Sequence, residues 1–337
     1  MSVALSSAPQ ALPLAATALP EQQLSHGGTR LTVLTAPSPE VDLLGPGLHA
    51  QINAALARDG GVLLRGFSAM SIQRFHDFAK GFGAPLLSYE FGSTPRSEVE
   101  KGVYSSTEYP KHQWIPQHNE QAYTTQWPMK IWFYCDVAPA DRGQTPVADS
   151  RAIFRYLDPA LRERFEAREL MYVRNFGSGL DLPWEQVFNT EDPAQVEAYC
   201  REHGIEWEWL EDDCLRIRQR CQAVTCHPQT GEKVWFNQAH LFHISALDAA
   251  TREALLEIVD EEDLPRNVFY GDGEPIADAD LDHVRAVYAA HRLDFAWQQG
   301  DVMMLDNMLM THGRAPFSGD RRVVVAMAQG HSWDKQA

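Results

Sequence analysis

Near the end of the chain, Val302-Met303-Met304-Leu305 and Val323-Val324-Val325-Ala326-Met327 flank the turn Pro316-Phe317-Ser318-Gly319-Asp320. Short apolar runs bounded by Gly, Pro, Ser and Asp read as strands. A third β-rich run, Met129 to Val137, holds Ile131, Trp132, Phe133, Tyr134 and Val137. Between these runs the pattern changes. Asp149, Asp158-Pro159 and Asp192-Pro193 are helix starts, and residues 248–260 and 279–291 also read as helices. Ile205, Trp207 and Trp209 alternate with Glu206 and Glu208, as in a half-buried strand. Val224-Thr225-Cys226 and Val234-Trp235-Phe236 bracket a hairpin turn at His227 to Glu232. Upstream, Gly47 to Gly61 reads as a helix, Val62 to Phe67 as a strand, and Ser71 caps a helix with the stripe Ile72, Phe75, Phe78, Ala79, Phe82. Strands at both ends with helices between them fit a mainly β chain with helical flanks, a β-sandwich or jelly roll. No G-x-G-x-x-G loop follows any strand, which disfavours a doubly wound sheet.

The 337 residues are 44% hydrophobic and 22% charged, enough for a sizeable core without disulfide staples. Lys plus Arg is 29 against 46 acidic residues, a formal charge of −17. Such a surface repels phosphate backbones, so nucleic acid is not an expected partner. Five irregularly spaced cysteines argue against a disulfide framework and for a cytoplasmic location. Cys221-x4-Cys226-His227 lacks the second pair of a zinc knuckle. No apolar run reaches membrane-spanning length. Residues 1–28, rich in Ala, Ser, Leu and Pro at the start, are expected to be a disordered tail. Residues 29–337 are expected to form one domain, with a helical insertion at about 150–300.

His118-Asn119-Glu120 and a distant His312, 194 residues on (312 − 118), are two imidazoles and a carboxylate, the donor set of a facial triad for Fe(II). On a strand, residues i and i+2 share a face, so His118 and Glu120 could reach one ion. The short motif says little alone: 13 His and 46 acidic residues give about one or two H-x-[DE] strings by chance. The surroundings say more: Gly143-Gln144-Thr145-Pro146, Trp297-Gln298-x-Gly300-Asp301, Leu305-Asp306-Asn307, Thr311-His312-Gly313-Arg314 and Arg321-Arg322 follow in order.

From about Gly60 to Ala328, these pieces resemble the TauD/TfdA-like family of Fe(II)/2-oxoglutarate-dependent oxygenases. The stretch Gln117 to Tyr123 and the stretch Leu305 to Arg322 look most like its SyrP-like branch. The resemblance implies a double-stranded β-helix (jelly roll) core. It implies His118, Glu120 and His312 as iron ligands, and Thr145 and Arg322 as the 2-oxoglutarate-binding pair. A planar guanidinium suits a carboxylate through two parallel hydrogen bonds. Alternation would turn Arg321 to solvent, and a register one residue different would exchange the two arginines. Glu120 stands where the taurine enzyme has aspartate, which points away from taurine as substrate.

The implied reaction uses Fe(II), 2-oxoglutarate and O₂ to hydroxylate an unactivated C–H bond, with succinate and CO₂ as co-products. Desaturation or cyclisation at the same iron is the alternative. The carboxylate at Glu120 disfavours halogenation, which needs that iron position open. The SyrP-like resemblance implies an amino acid or derivative as substrate, free or on a peptidyl carrier protein, in natural-product (antibiotic) biosynthesis. Tyr104, Asn119 and Gln238 are candidate substrate contacts, with Arg65 a weaker one. His240 and His243 line the mouth or are structural, and Asp306-Asn307 fixes a turn near His312. A zinc hydrolase with the same ligands, or a non-catalytic jelly-roll binding protein, are the readings of other classes.

Overall fold

The apolar runs become strands of one large sheet, in a computed structural model that describes residues 18–43, 46–88, 91, 96–106, 109–177 and 179–333. Along the chain the core strands are β1 (Glu21–His26), β2 (Thr29–Thr35), β3 (Gly61–Arg65), β4 (Glu98–Glu100), β5 (Val103–Ser105) and β6 (Ile115–His118). They continue as β7 (Gln126–Val137), β8 (Val147–Asp149), β9 (Val302–Asp306), β10 (Met310–Arg314) and β11 (Arg322–Ser332). The major sheet runs β1-β2-β3-β9-β7-β11-β5-β4, and the minor sheet runs β6-β10-β8. Only β2 and β3 pair in parallel among these strands. This is the sheet-rich core with helical flanks that the sequence implies, a jelly roll.

The major sheet is covered on both faces, which is why its central strands are apolar at nearly every position. One set of alternating residues, Ile131 and Phe133 of β7 with Val323, Val325 and Met327 of β11, packs toward the minor sheet with Val147 and Met310. The other set, Trp132 and Tyr134 with Val324 and Ala326, packs under two helices, α1 (Pro46–Asp59) and α2 (Ile72–Lys80). Ser71 caps α2 as expected, its hydroxyl accepting from the Arg74 N–H at 3.2 Å. Phe75 and Phe78 of α2 are fully buried. Each ring stabilises the fold by about 2–3 kcal/mol as an upper bound, and truncating one to Ala costs about 3–5 kcal/mol.

Two expectations need correction. The ordered chain starts before residue 29: β1 pairs with β2 from Glu21↔Leu34 to His26↔Thr29. Residues 1–17 of the expected tail lie outside the described residues. The region from 150 to 300 is also less purely helical than expected. Its helices start at Asp149, Asp158 and Asp192 as the sequence indicates, each with a capping carboxylate. But it also holds a four-stranded sheet, ordered Ile205–Trp209, Leu215–Cys221, Leu170–Phe176, Arg266–Tyr270. Two of these strands evade pattern reading because they bury polar residues. Asn175 is paired by Leu264 O at 2.7 Å and by Arg216 Nε at 2.7 Å, which makes its burial tolerable. No described helix is long and apolar enough to cross a membrane.

Candidate metal centre and co-substrate cavity

β6 and β10 bring the distant parts of the chain together. His118 and His312 are direct partners across this antiparallel pair, and their ring centroids lie 4.5 Å apart. The register shifts between His312 and Arg314, and Gly313 sits at that irregularity. A Cβ there would lie 2.6 Å from the Ile115 carbonyl oxygen, so the close backbone approach requires glycine. One ligand atom each from His118, Glu120 and His312 falls within 4.8 Å of the others. Among the described residues no other group of three such side chains does so. Cys221 and Cys226, by contrast, are a buried and an exposed free thiol.

Glu120 does not reach this cluster by strand alternation. β6 ends at His118, and Gln121 takes a left-handed conformation with φ 56°. Asn307 supplies what a strand partner would have supplied. Its Oδ1 accepts from the Glu120 N–H at 2.7 Å, and its Nδ2 donates to the Glu120 carbonyl at 2.9 Å. Asn307 is itself presented by a turn in which Asp306 Oδ1 accepts from the Met308 and Leu309 N–H groups. Lys130 and His227 hold the other carboxylate oxygen of Asp306. The Asp306-Asn307 turn is thus the support that the sequence suggested.

The donors are in states suited to a divalent ion. His118 Nδ1 lies 2.8 Å from the Pro116 carbonyl, which can only accept, so Nδ1 carries the proton and Nε2 is the lone-pair donor. Burial, then the neighbouring His312, lowers the His118 pKa to about 4, so it is neutral at pH 7. Burial alone would push the Glu120 pKa up. Arg96 and the imidazoles outweigh that and hold the carboxyl well below the usual range. Arg96 Nη2 donates to Glu120 Oε2 at 2.6 Å, and His312 Nε2 is 3.6 Å from the same oxygen. A guanidinium is therefore the positive charge at this carboxylate, where an ion would supply its own. The residues fit the metal.

The cavity beside the cluster is lined by Arg96, Ser106, Ile115, Phe133, Thr145, Arg314, Arg321, Val323 and Val325 as well as the two histidines. Arg321, not Arg322, enters it. Arg321 shares the inward face with Val323 and Val325, donates to Gly143 O at 3.0 Å, and reaches Thr145 Oγ1 at 3.3 Å. Arg322 points the other way, pairs with Asp136 at 3.1 Å and is half exposed. The resemblance names Arg322, and the structure instead brings Arg321 to the cavity; the residues that follow in β11 are buried on both faces, so alternation could not decide which arginine was inward. Burial, then Arg314, lowers the Arg321 pKa to about 10, which leaves it charged at pH 7. Thr145 is buried and also accepts from Trp297 Nε1 at 2.9 Å. With both acceptor positions taken, its hydroxyl proton remains to be donated.

The candidate substrate contacts do not meet this cavity. Asn119 is fully buried and turned away, its Nδ2 donating to Ser150 Oγ at 3.0 Å. Gln238 Nε2 donates to the Asn119 carbonyl at 2.7 Å, so this pair anchors the ligand segment instead. Tyr104 packs on the inward apolar face, with its hydroxyl 3.5 Å from Glu98. Arg65 is engaged by Asp301 at 2.6 Å. His240 is structural: its Nε2 donates to the Gln117 carbonyl at 2.9 Å, and burial lowers its pKa to about 3. His243 lines no part of the cavity, and Arg314 donates to the carbonyls of Tyr109 and Pro110. Sequence reasoning missed Arg96 and the pairing of Trp297 with Thr145. No local pattern marks Arg96, which stands 22 residues before His118 (118 − 96) on no periodic element.

The model of the taurine catabolism dioxygenase TauD, TfdA family matches residues 25–327. The chain belongs to the TauD/TfdA family. It is similar to the dapdiamide synthesis protein DdaC of Enterobacter agglomerans, 39% identical over 304 residues, 90% of this chain and 92% of that protein. It is 30% identical to a clavaminate synthase-like protein of Arabidopsis thaliana, over 94% of this chain and 98% of that one. Solved structures share the fold at low identity. PvcB, described as an Fe, alpha-ketoglutarate dependent oxygenase from an isonitrile synthetic pathway, superposes with a TM-score of 0.53 at 14% identity, over 96% of this chain and 95% of that one. The PvcB protein is from Pseudomonas aeruginosa. AAD-2, solved with Mn(II) and N-oxalylglycine, gives 0.55 at 14% identity, over 94% and 99%. The protein is accordingly a dioxygenase that uses Fe(II), 2-oxoglutarate and O₂. The zinc-hydrolase and non-catalytic readings give way to that membership.

Proposed function

We propose that His118, Glu120 and His312 hold the iron, that Arg321 and Thr145 bind the distal carboxylate of 2-oxoglutarate, and that the enzyme hydroxylates an unactivated C–H bond of an amino acid or amino-acid derivative. One observation carries this reading: the three donor atoms lie within 4.8 Å of one another on a cavity that Arg321 and Thr145 also line. Held by these residues, iron and the keto acid would supply the oxidising chemistry, O₂ being consumed with 2-oxoglutarate to give succinate and CO₂. The chain's own residues orient and enclose. Asn307 fixes the backbone of Glu120, and the Pro116 carbonyl fixes the His118 tautomer. Arg321 offers a charged donor, and the Thr145 hydroxyl proton offers a second. Phe133, Val323 and Val325 form an apolar wall that excludes water from the reacting space.

The biosynthetic setting is supported by the description of the 39%-identical relative, a dapdiamide synthesis protein, and the amino-acid class is proposed within that setting. A peptidyl carrier protein presenting the substrate is part of the same proposal, as is a single domain in the cytoplasm. The test is incubation with Fe(II), ascorbate, 2-oxoglutarate and an amino-acid panel, free and carrier-bound. The reading expects succinate and a product heavier by one oxygen. A product lighter by two hydrogens would replace hydroxylation with desaturation or cyclisation. Succinate formation stimulated only by compounds outside the amino-acid class would remove the substrate assignment.

A further inference from the structure

The space beside the three donors is too small for its job. The cavity measures about 30 Å³, room for a water molecule or two, whereas sites for small organic ligands span roughly 300–1,000 Å³. A larger cleft of about 420 Å³ lies past Gln121 but shares no lining residue with the cavity at the donors. One long side chain fills the small cavity from the side of Glu120. The Arg96 side chain is 4% exposed, lines the cavity, and places Nη2 2.6 Å from the carboxylate oxygen that also faces His312.

The Arg96 guanidinium occupies the Glu120 oxygen that faces His312, so an ion bound there competes with it for that oxygen. A divalent ion coordinated by Glu120, His118 and His312 takes over the charge that Arg96 now neutralises. Arg314 and Arg321 already line the same cavity, so a retained Arg96 guanidinium would add like-charge repulsion to the metal-loaded site. We propose that Arg96 is an exchangeable counter-cation: it neutralises Glu120 and fills the co-substrate space until a metal ion displaces it, so that metal loading and opening of the cavity are one event. This rests on the assignment of His118, Glu120 and His312 as the ligands. Arg96 is thus a positioning residue whose departure couples the two binding steps.

The test uses the full-length, metal-free protein titrated with Mn(II) alone, before any keto acid is added. Removing a competitor tightens binding, so Arg96→Leu is expected to bind Mn(II) at least about fivefold more tightly than wild type. Arg96→Lys keeps the charge and is expected to restore wild-type affinity. Unchanged or weaker binding in Arg96→Leu would overturn the proposal, because a fixed orienting partner of Glu120 gives that result. Should Arg96→Leu fold poorly, the wild-type protein decides alone. Phenylglyoxal labelling of the peptide containing Arg96 is expected to quicken on adding Mn(II), and a rate indifferent to Mn(II) would refute displacement. Mn(II) binding that requires Glu120 but ignores Arg96 defeats this inference and leaves the ligand assignment standing. Absence of Mn(II) binding in wild type would remove both.

Discussion

The two ends of the site are secured in different ways. The ligand end is a buried hydrogen-bond network: Asn307 holds both backbone groups of Glu120, and Gln238 holds the Asn119 carbonyl. Asp306 ties the supporting turn to Lys130 and His227. The end proposed to bind the carboxylate depends on how the chain enters β11. Arg321, the residue just before β11, enters the cavity with Val323 and Val325, while Arg322 beside it pairs with Asp136 where the β11–β7 register shifts. A network tolerates irregular backbone, as the turn at Glu120 and Gln121 shows. At the other end a slip of one residue would exchange Arg321 and Arg322, and the register shift between Arg322 and Val323 is part of what sets which one faces in.

Substitutions can break this comparison at each end. The largest effect belongs to the ligands: His312→Ala or Glu120→Ala is expected to weaken Fe(II) or Mn(II) binding by more than about 100-fold, beyond what loss of a surrounding partner costs. Equilibrium metal titration measures it. At the register end, Arg321→Leu removes charged hydrogen bonds worth about 1.5–3 kcal/mol, so 2-oxoglutarate affinity should fall by about 10- to 100-fold. Arg322→Leu breaks only an exposed ion pair and should change affinity by less than about fivefold. A larger effect from Arg322→Leu than from Arg321→Leu would mean that Arg322, not Arg321, faces the cavity.

Asn307→Ala sharpens the contrast. It leaves two groups of Glu120 without their partner, and metal affinity should drop about 10-fold or more while 2-oxoglutarate contacts stay intact. A separate effect, outside both ends of the site, is on acid stability. The native pKa of His240 is about 3, against about 6.5 when unfolded. Between those values the unfolded chain binds the extra proton, so stability falls as pH drops from about 6.5 toward 3, by at most about 1.4 kcal/mol per pH unit. Above pH 6.5 both states are neutral and the contribution is flat. In His240→Gln, denaturant midpoints across that window should depend less on pH than in wild type.

What the sequence made legible follows the same division. Helix caps at Ser71, Asp149, Asp158 and Asp192 were readable because a short polar side chain before an apolar run has one local use. That His118, Glu120 and His312 cluster was readable from ordered pieces, although Glu120 is placed by Asn307 and not by the strand alternation that the spacing suggested. The choice between Arg321 and Arg322 was not readable, because both faces of β11 are buried and no polar alternation marks the inward one. Asn119 and Gln238 were misread as substrate contacts because nearness in sequence to a ligand does not say which way a side chain points. Arg96 was invisible: its role depends on a tertiary approach to Glu120 that no spacing encodes.

Anaerobic absorption spectroscopy of the protein with Fe(II) and 2-oxoglutarate tests the central assignment most directly. The wild-type protein should show a visible charge-transfer band from the keto acid chelated to iron, and His312→Ala should lack it. No band in wild type, or a band that survives His312→Ala, would contradict the site.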